Sequence, residues 1–152
     1  MTPGSISKLI VLDRFTWIEK MVAEIRKLPI SDLSPFLSDS RNVHAAESCL
    51  RRALEALFDL GRHILAKGFA EGVTDYKDIA VKLEGHDVIT PELGEKMKLM
   101  AGYRNRLVHV YHDVIADELF EICHSELSDF DEISSAIKHW LKNHPEMMDD
   151  TL

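Results

Sequence analysis

Tyr103-Arg104-Asn105-Arg106-Leu107-Val108-His109-Val110-Tyr111 is the stretch on which the reading of this chain turns. Counted outward from it, Leu93, Met97, Met100, Arg104, Leu107, Tyr111 and Val114 recur at spacings of four and three, which places them on one face of a helix. Arg104 stands where that stripe requires a leucine. A guanidinium in an apolar stripe is costly unless it is paired or faces a cleft, so a group from outside the helix has to meet it. His109 points elsewhere: five residues on, at about 100° per residue, it lies roughly 140° around the helix from the stripe. It shares a polar or small line with Glu95, Lys98, Gly102, Asn105 and His112. One helix does not bring Arg104 and His109 together unless it distorts or a second copy of the chain completes the site.

Upstream of this stretch, Thr90-Pro91-Glu92 reads as an N-cap, a first-turn proline and an acid facing the helix dipole, so the motif helix starts there and runs to about Val110. Before it, Tyr76 to Glu84 makes a short helix with Tyr76, Ile79, Ala80 and Leu83 inward, broken by Gly85-His86-Asp87. A long helix is capped by Asp39 or Ser40, carries the stripe Val43, Ala46, Leu50, Leu54, Leu57, Ile64, and is closed by Gly68. Gly61 in its middle costs about 1 kcal/mol relative to alanine, which signals a kink or a close helix contact. The first helix spans Ser7 to Leu28, with Ile10 (and Val11), Arg14, Trp17 or Ile18, Met21, Ile25 and Leu28 inward and Pro29 at its end. Residues 30–38 read as a connection. Downstream, Ala116 to Ser125 and Asp129 to Asn143 form the last two helices. Residues 1–7 and the acidic tail after Pro145 are expected to be weakly ordered.

No segment alternates with period two, and no hairpin turn separates β-branched runs. The expected fold is all-α: an antiparallel four-helix bundle with additional short helices, one domain over residues 1–152 with its core between about 7 and 143.

With 26 acidic against 18 basic residues the net charge is −8, which excludes a general nucleic-acid coat but leaves room for a locally basic cleft. The longest early apolar run, Leu9 to Leu12, is far too short for a signal-peptide core or a membrane span, so a cytoplasmic protein without a membrane partner is expected. Cys49 and Cys123 sit in helical apolar patterns without CxxC spacing and read as small buried hydrophobes rather than a disulfide or zinc framework.

The residues alone leave several readings open. Arg41, Arg51, Arg52, Arg62 and Lys67 on the long helix are either a solvated face balanced by Glu47, Glu55 and Asp59, or a phosphate-positioning wall. Arg104 is either a phosphate group's partner or half of a structural ion pair with Glu47 or Glu55. His109 is either catalytic or a helix-end histidine favoured by the dipole, and Tyr111 is otherwise a core-edge tyrosine. His109, His112 and Asp113 have a spacing that reaches one metal ion, but a second such cluster is missing.

Arg104-Asn-Arg-Leu-Val-His109-Val-Tyr111 resembles the Arg-x4-His-x-Tyr signature of the HepT-like toxins, a branch of the HEPN superfamily of helical ribonucleases. The runs Val88 to Asn105 and Ala53 to Ala66 are similar to that family as well, so the resemblance covers most of the chain. It implies a HEPN bundle that forms a homodimer, with two copies of the motif lining one cleft. It further implies metal-independent RNA cleavage by the toxin of a two-gene system, whose partner is a minimal nucleotidyltransferase antitoxin able to attach AMP to Tyr111. No cofactor and no metal are implied. HEPN-like bundles also serve as catalytically silent adaptors that bind a nucleotidyltransferase partner or a nucleotide, and the intact motif is the reason to favour the nuclease.

The residue types suit that chemistry. Metal-free cleavage of RNA uses the 2′-hydroxyl as nucleophile, a group of pKa near 7 to move protons, and a fixed cation for the pentacoordinate phosphate. His109 fits the first role and Arg104 the second, since its fork matches phosphate and keeps its charge. Asn105, one turn before His109, is placed to orient the imidazole or donate to a phosphate oxygen. Arg106, Lys96, Lys98, Arg51 and Arg52 are secondary candidates for RNA backbone contact. AMP on Tyr111, seven residues from Arg104, would put an anion above it and block RNA entry.

Overall fold

The computed structural model describes residues 5–108 and 116–149. Within them the chain forms α1 (Lys8–Arg26), α2 (Leu33–Leu37), α3 (Ser40–Phe69), α4 (Tyr76–Gly85), α5 (Pro91–Val108), α6 (Ala116–Ser125) and α7 (Leu127–Asn143), then a 3₁₀ turn at Pro145–Met147. α1, α3, α5 and α7 pack in a ring, each against the next and α7 back against α1. This is the four-helix bundle, with α4 lying on α5 and α3, and α2 and α6 closing one side against α3. Their inward faces join in one apolar cluster that includes Leu50, Leu54, Leu57, Ile64, Met97, Ile133 and Ile137. Each such side chain contributes about 1.5–3 kcal/mol on leaving water.

Local chemistry sets the helix ends. Ser7, Asp39 and Asp75 each accept a backbone N–H from the first turn of α1, α3 and α4. The Thr90 hydroxyl accepts the Leu93 amide at 3.2 Å, as the Thr-Pro-Glu run requires. Gly61 is a close approach rather than a kink: a Cβ there would lie 2.7 Å from Ile79 Cγ2 and 3.0 Å from Leu83 Cδ1, so α4 is seated directly on the α3 backbone.

Four expectations are corrected. α1 buries Val11, Phe15, Ile18, Met21, Val22 and Ile25, leaving Trp17 at the surface; the buried face is turned by about one residue from the expected stripe. The connection at 30–38 contains α2, which forms because Phe36 is driven into the core against the Phe120 ring, 5.5 Å between centroids. Gly68 does not end α3. It is buried under Ile6, where a Cβ would meet the Ile6 side chain at 2.8 Å, and the helix ends at Ala70, which takes the left-handed conformation (φ 54°). Finally, the two ends are tied together. Ile6 is fully buried, and its backbone pairs with Met147 and Asp149 at 3.1 and 2.9 Å.

Cys123 is buried, and burial pushes its thiol pKa up to about 12, while Cys49 is partly exposed; both are free. No helix of the described residues is long and apolar enough to cross a membrane.

Candidate active site

Arg104 lies one turn before the end of α5 and reaches across to α3 and α4. One terminal nitrogen donates to Glu55 Oε2 at 3.2 Å, and the guanidinium stacks over the Tyr76 ring, 4.2 Å from its centroid. Glu55 is shared, since its other oxygen accepts from Arg51 at 3.0 Å across one turn of α3. The arginine side chain is 20% exposed. Its Nε is buried and has no hydrogen-bond partner among the described residues. The group demanded by an arginine in an apolar stripe is therefore a carboxylate plus an aromatic face, and one N–H donor is without an acceptor among the described residues.

The stripe around Arg104 is otherwise as the spacing requires: Met97, Met100 and Leu107 are buried and Leu93 is packed against the core. Asn105 is exposed and makes no side-chain hydrogen bond among the described residues. Arg106 pairs with Glu118 of α6 and lies over the Tyr103 ring. The Tyr103 hydroxyl donates to Glu126 at 2.6 Å, and burial beside that carboxylate drives its pKa well above the ordinary tyrosine value. Lys98 pairs with Glu95 at 2.9 Å, and Lys96 with Glu132 at 2.9 Å and Asp129 at 3.2 Å. These lysines carry surface ion pairs, and the structure does not bring them to Arg104. His109, Tyr111, His112 and Asp113 lie outside the described residues. Among the described residues, no three His, Cys, Asp or Glu side chains are grouped to hold a metal ion.

The basic face of α3 divides. Arg41 folds back on Asp39, whereas Arg51 joins the Glu55 cluster and Arg62 lies over the same Tyr76 ring, 5.5 Å from its centroid. Arg52 lines an open pocket beside Glu55 and Tyr76. The sequence reading missed Tyr76, taken as a core residue, and Arg14, taken as part of the α1 stripe. Arg14 carries the same signal as Arg104, a guanidinium among apolar positions, and it too finds a carboxylate on α3, with Nε donating to Asp59 at 2.5 Å.

Residues 18–137 match the family model described as ribonuclease HepT-like, a span that contains Arg104, Asn105, His109 and Tyr111. The chain belongs to the HepT-like ribonuclease family. It is 27% identical over 117 residues to a tRNA nuclease HepT of Aphanizomenon flos-aquae, covering 76% of this chain and 79% of that one. It is 26% identical over 129 residues to an mRNA nuclease HepT of Shewanella oneidensis, covering 85% and 96% respectively. Among solved structures it is similar to the tri-AMPylated HEPN toxin of Shewanella oneidensis in complex with MNT antitoxin, at 25% identity and a TM-score of 0.78, over 86% of this chain and 97% of that one. It also resembles a toxin–antitoxin crystal structure with AMP-PNP, at 25% identity and a TM-score of 0.77, over 86% and 98%. In this HepT-like chain the family's all-helical HEPN fold is thus present nearly in full, and Arg104, held by Glu55 and Tyr76, lies within the matched span.

Proposed function

We propose that this chain is the endoribonuclease toxin of a toxin–antitoxin pair, cutting RNA without metal at a cleft shared by two copies. The observation that carries the reading is the state of Arg104. The motif arginine is pre-positioned by Glu55 and the Tyr76 ring, and its Nε donor has no acceptor among the described residues. A phosphate oxygen is the acceptor that the terminal N–H groups left over from the Glu55 bond of such a held guanidinium are suited to take. The nuclease relatives and the toxin–antitoxin neighbours support the same reading.

In the reaction, His109 takes the proton of the 2′-hydroxyl, O2′ bonds to phosphorus, the P–O5′ bond breaks, and O5′ leaves with a proton returned to it. Arg104 holds the charge that builds on the equatorial oxygens, and Asn105 orients the imidazole or adds a donor. The products are a 2′,3′-cyclic phosphate and a 5′-hydroxyl. On an ideal helix residues five apart, as Arg104 and His109 are in sequence, stand about 140° apart, so in this reading the second copy supplies the missing half. The outer face of α5 suits such an approach: Leu99 is 60% exposed, and one turn on, Gly102 has only the Arg106 tip near a built Cβ, at 4.0 Å.

The partner in this reading is a minimal nucleotidyltransferase. It transfers AMP from ATP to the phenolic oxygen of Tyr111, releasing pyrophosphate, and the added anion occupies Arg104. A tri-AMPylated relative supports this form of control.

The Arg104–Glu55 pair also favours a second reading, a silent adaptor in which the pair is purely structural. Incubation of the purified protein with cellular RNA in EDTA separates the two. The nuclease reading expects cleavage that disappears in His109→Ala, and intact RNA would leave the adaptor.

A further inference from the structure

Beside Arg104, the first half of α1, the polar face of α3 and Tyr76 of α4 enclose an open pocket of about 470 Å³, within the ~300–1,000 Å³ typical of small-ligand sites. Its α3 wall repeats at helical spacing: Arg52, Glu55, Ala56, Asp59, Arg62. Its α1 wall is Asp13, Arg14 and Trp17. The family match begins at residue 18, so this wall lies ahead of the matched span.

The charges of the pocket are unequally committed. Asp13 and Asp59 both clamp Arg14, each at 2.5 Å. Glu55 is engaged by Arg51 and Arg104. Arg52 and Arg62 have no carboxylate partner among the described residues. Two guanidiniums without a carboxylate, Arg52 and the Arg62 that lies over the Tyr76 ring, therefore face a space walled by two aromatic rings, Trp17 and Tyr76, of which Trp17 is partly exposed. Small Ala56 also lines it. Free guanidinium forks match phosphate oxygens, and an exposed aromatic face stacks a base at about 1–3 kcal/mol. The pocket also shares Glu55 and Tyr76 with Arg104, so a group bound in it lies next to the motif arginine.

We propose that this pocket is a nucleotide subsite, taking one base against Trp17 and the attached phosphate on Arg52 and Arg62. It rests on the proposed function for its source of nucleotide, an RNA residue adjoining the phosphate held at Arg104, but not for its chemistry.

The fluorescence of Trp17 tests it directly. Trp17 and Trp140 are the two tryptophans, and Trp140 is buried. Titration of the full chain with each of the four ribonucleoside monophosphates is expected to quench Trp17 saturably in at least one case. The quench is expected to weaken at least tenfold in Arg52→Gln/Arg62→Gln and in Ala56→Leu, with Trp17→Phe removing the signal. Circular dichroism verifies that each variant is folded, and the charge-removing pair stands if the cavity-filling variant is not. Absence of any saturable quench, or a quench undiminished in the charge-removing pair, overturns the subsite. A 2′-O-methyl trinucleotide that binds more tightly than the matching monophosphate assigns the site to RNA, and the reverse order assigns it to free nucleotide. An absent quench with RNA cleavage intact rejects the pocket alone. A quench without cleavage rejects the nuclease and leaves the pocket standing.

Discussion

Removing Glu55 tests whether Arg104 is held in place or merely happens to lie near a carboxylate. Glu55 is 36% exposed and Arg104 20%, so their pair falls between an exposed ion pair, about 0–1 kcal/mol, and a buried one whose breakage costs about 3–5 kcal/mol. Solvent screening at the glutamate places Glu55→Ala near the lower end, at about 1 kcal/mol. Tyr76→Leu removes the stack at 4.2 Å and an edge contact with Phe58 at 5.2 Å, together about 1.5–2.5 kcal/mol. Both act on the same guanidinium, so the two losses overlap: once the ring is gone, Arg104 is already loose, and the second change costs less. The double variant is expected to fall short of the sum by about 0.5–1 kcal/mol in urea denaturation. Cleavage under single-turnover conditions is expected to drop roughly tenfold in Glu55→Ala, the equivalent of about 1.4 kcal/mol in the transition state, with Tyr76→Phe near wild type because the ring remains. Strict additivity in both stability and rate would refute the idea that carboxylate and ring act jointly on Arg104.

Three further outcomes follow from the geometry. Gly61→Ala is expected to destabilise by about 1–2 kcal/mol in thermal unfolding although alanine is the better helix former, because its Cβ would strike Ile79 and Leu83; a stabilised variant would show that α4 shifts freely. His63 Nε2 accepts the Ser7 amide at 2.9 Å, and burial, with Lys67 nearby, lowers its pKa below the ordinary histidine value. Its neutral form is the one the fold uses. Above about pH 6.5 it is unprotonated in both states and contributes no pH dependence; below that the unfolded chain binds the proton first, so stability falls as pH falls. His63→Gln should flatten that dependence, and an unchanged slope would assign it to other groups. Gly102→Trp is expected to give monomers in light scattering and to lose cleavage together with dimerisation; an active monomer would contradict a shared cleft.

Much of the fold was legible because its signals are local. Thr90-Pro91 starts α5, the bounds of α6 follow from its apolar spacing, and Gly61 announced a close contact that α4 supplies. The face of α1 was not legible, since Leu9, Ile10, Val11, Leu12, Phe15, Trp17 and Ile18 surround the helix and periodicity alone does not choose among them. Gly68 was misread because a glycine near a helix end signals a C-cap as readily as a neighbour pressed against the backbone, and here the neighbour is Ile6. The pairing of Ile6 with Met147 and Asp149 joins positions more than 140 residues apart and leaves no local trace. At the site, an ion pair with Glu47 or Glu55 is one of the two readings the misplaced charge of Arg104 leaves open, and Glu55 is the carboxylate it meets. Tyr76 escaped, because a tyrosine on an apolar face looks the same whether it packs on leucines or carries an arginine.

The central claim is that Arg104 and His109 cut RNA through its own 2′-hydroxyl. The most direct measurement is an analysis of the ends produced from a defined oligoribonucleotide in EDTA, beside the same oligonucleotide carrying a 2′-deoxy residue at the cut position. The account predicts a 2′,3′-cyclic phosphate and a 5′-hydroxyl, no cut at the deoxy position, and loss of cleavage by at least a hundredfold in Arg104→Ala and His109→Ala, the order found when one charge-stabilising donor is removed. Ends bearing a 5′-phosphate, cleavage at the deoxy position, or full activity in His109→Ala would contradict it.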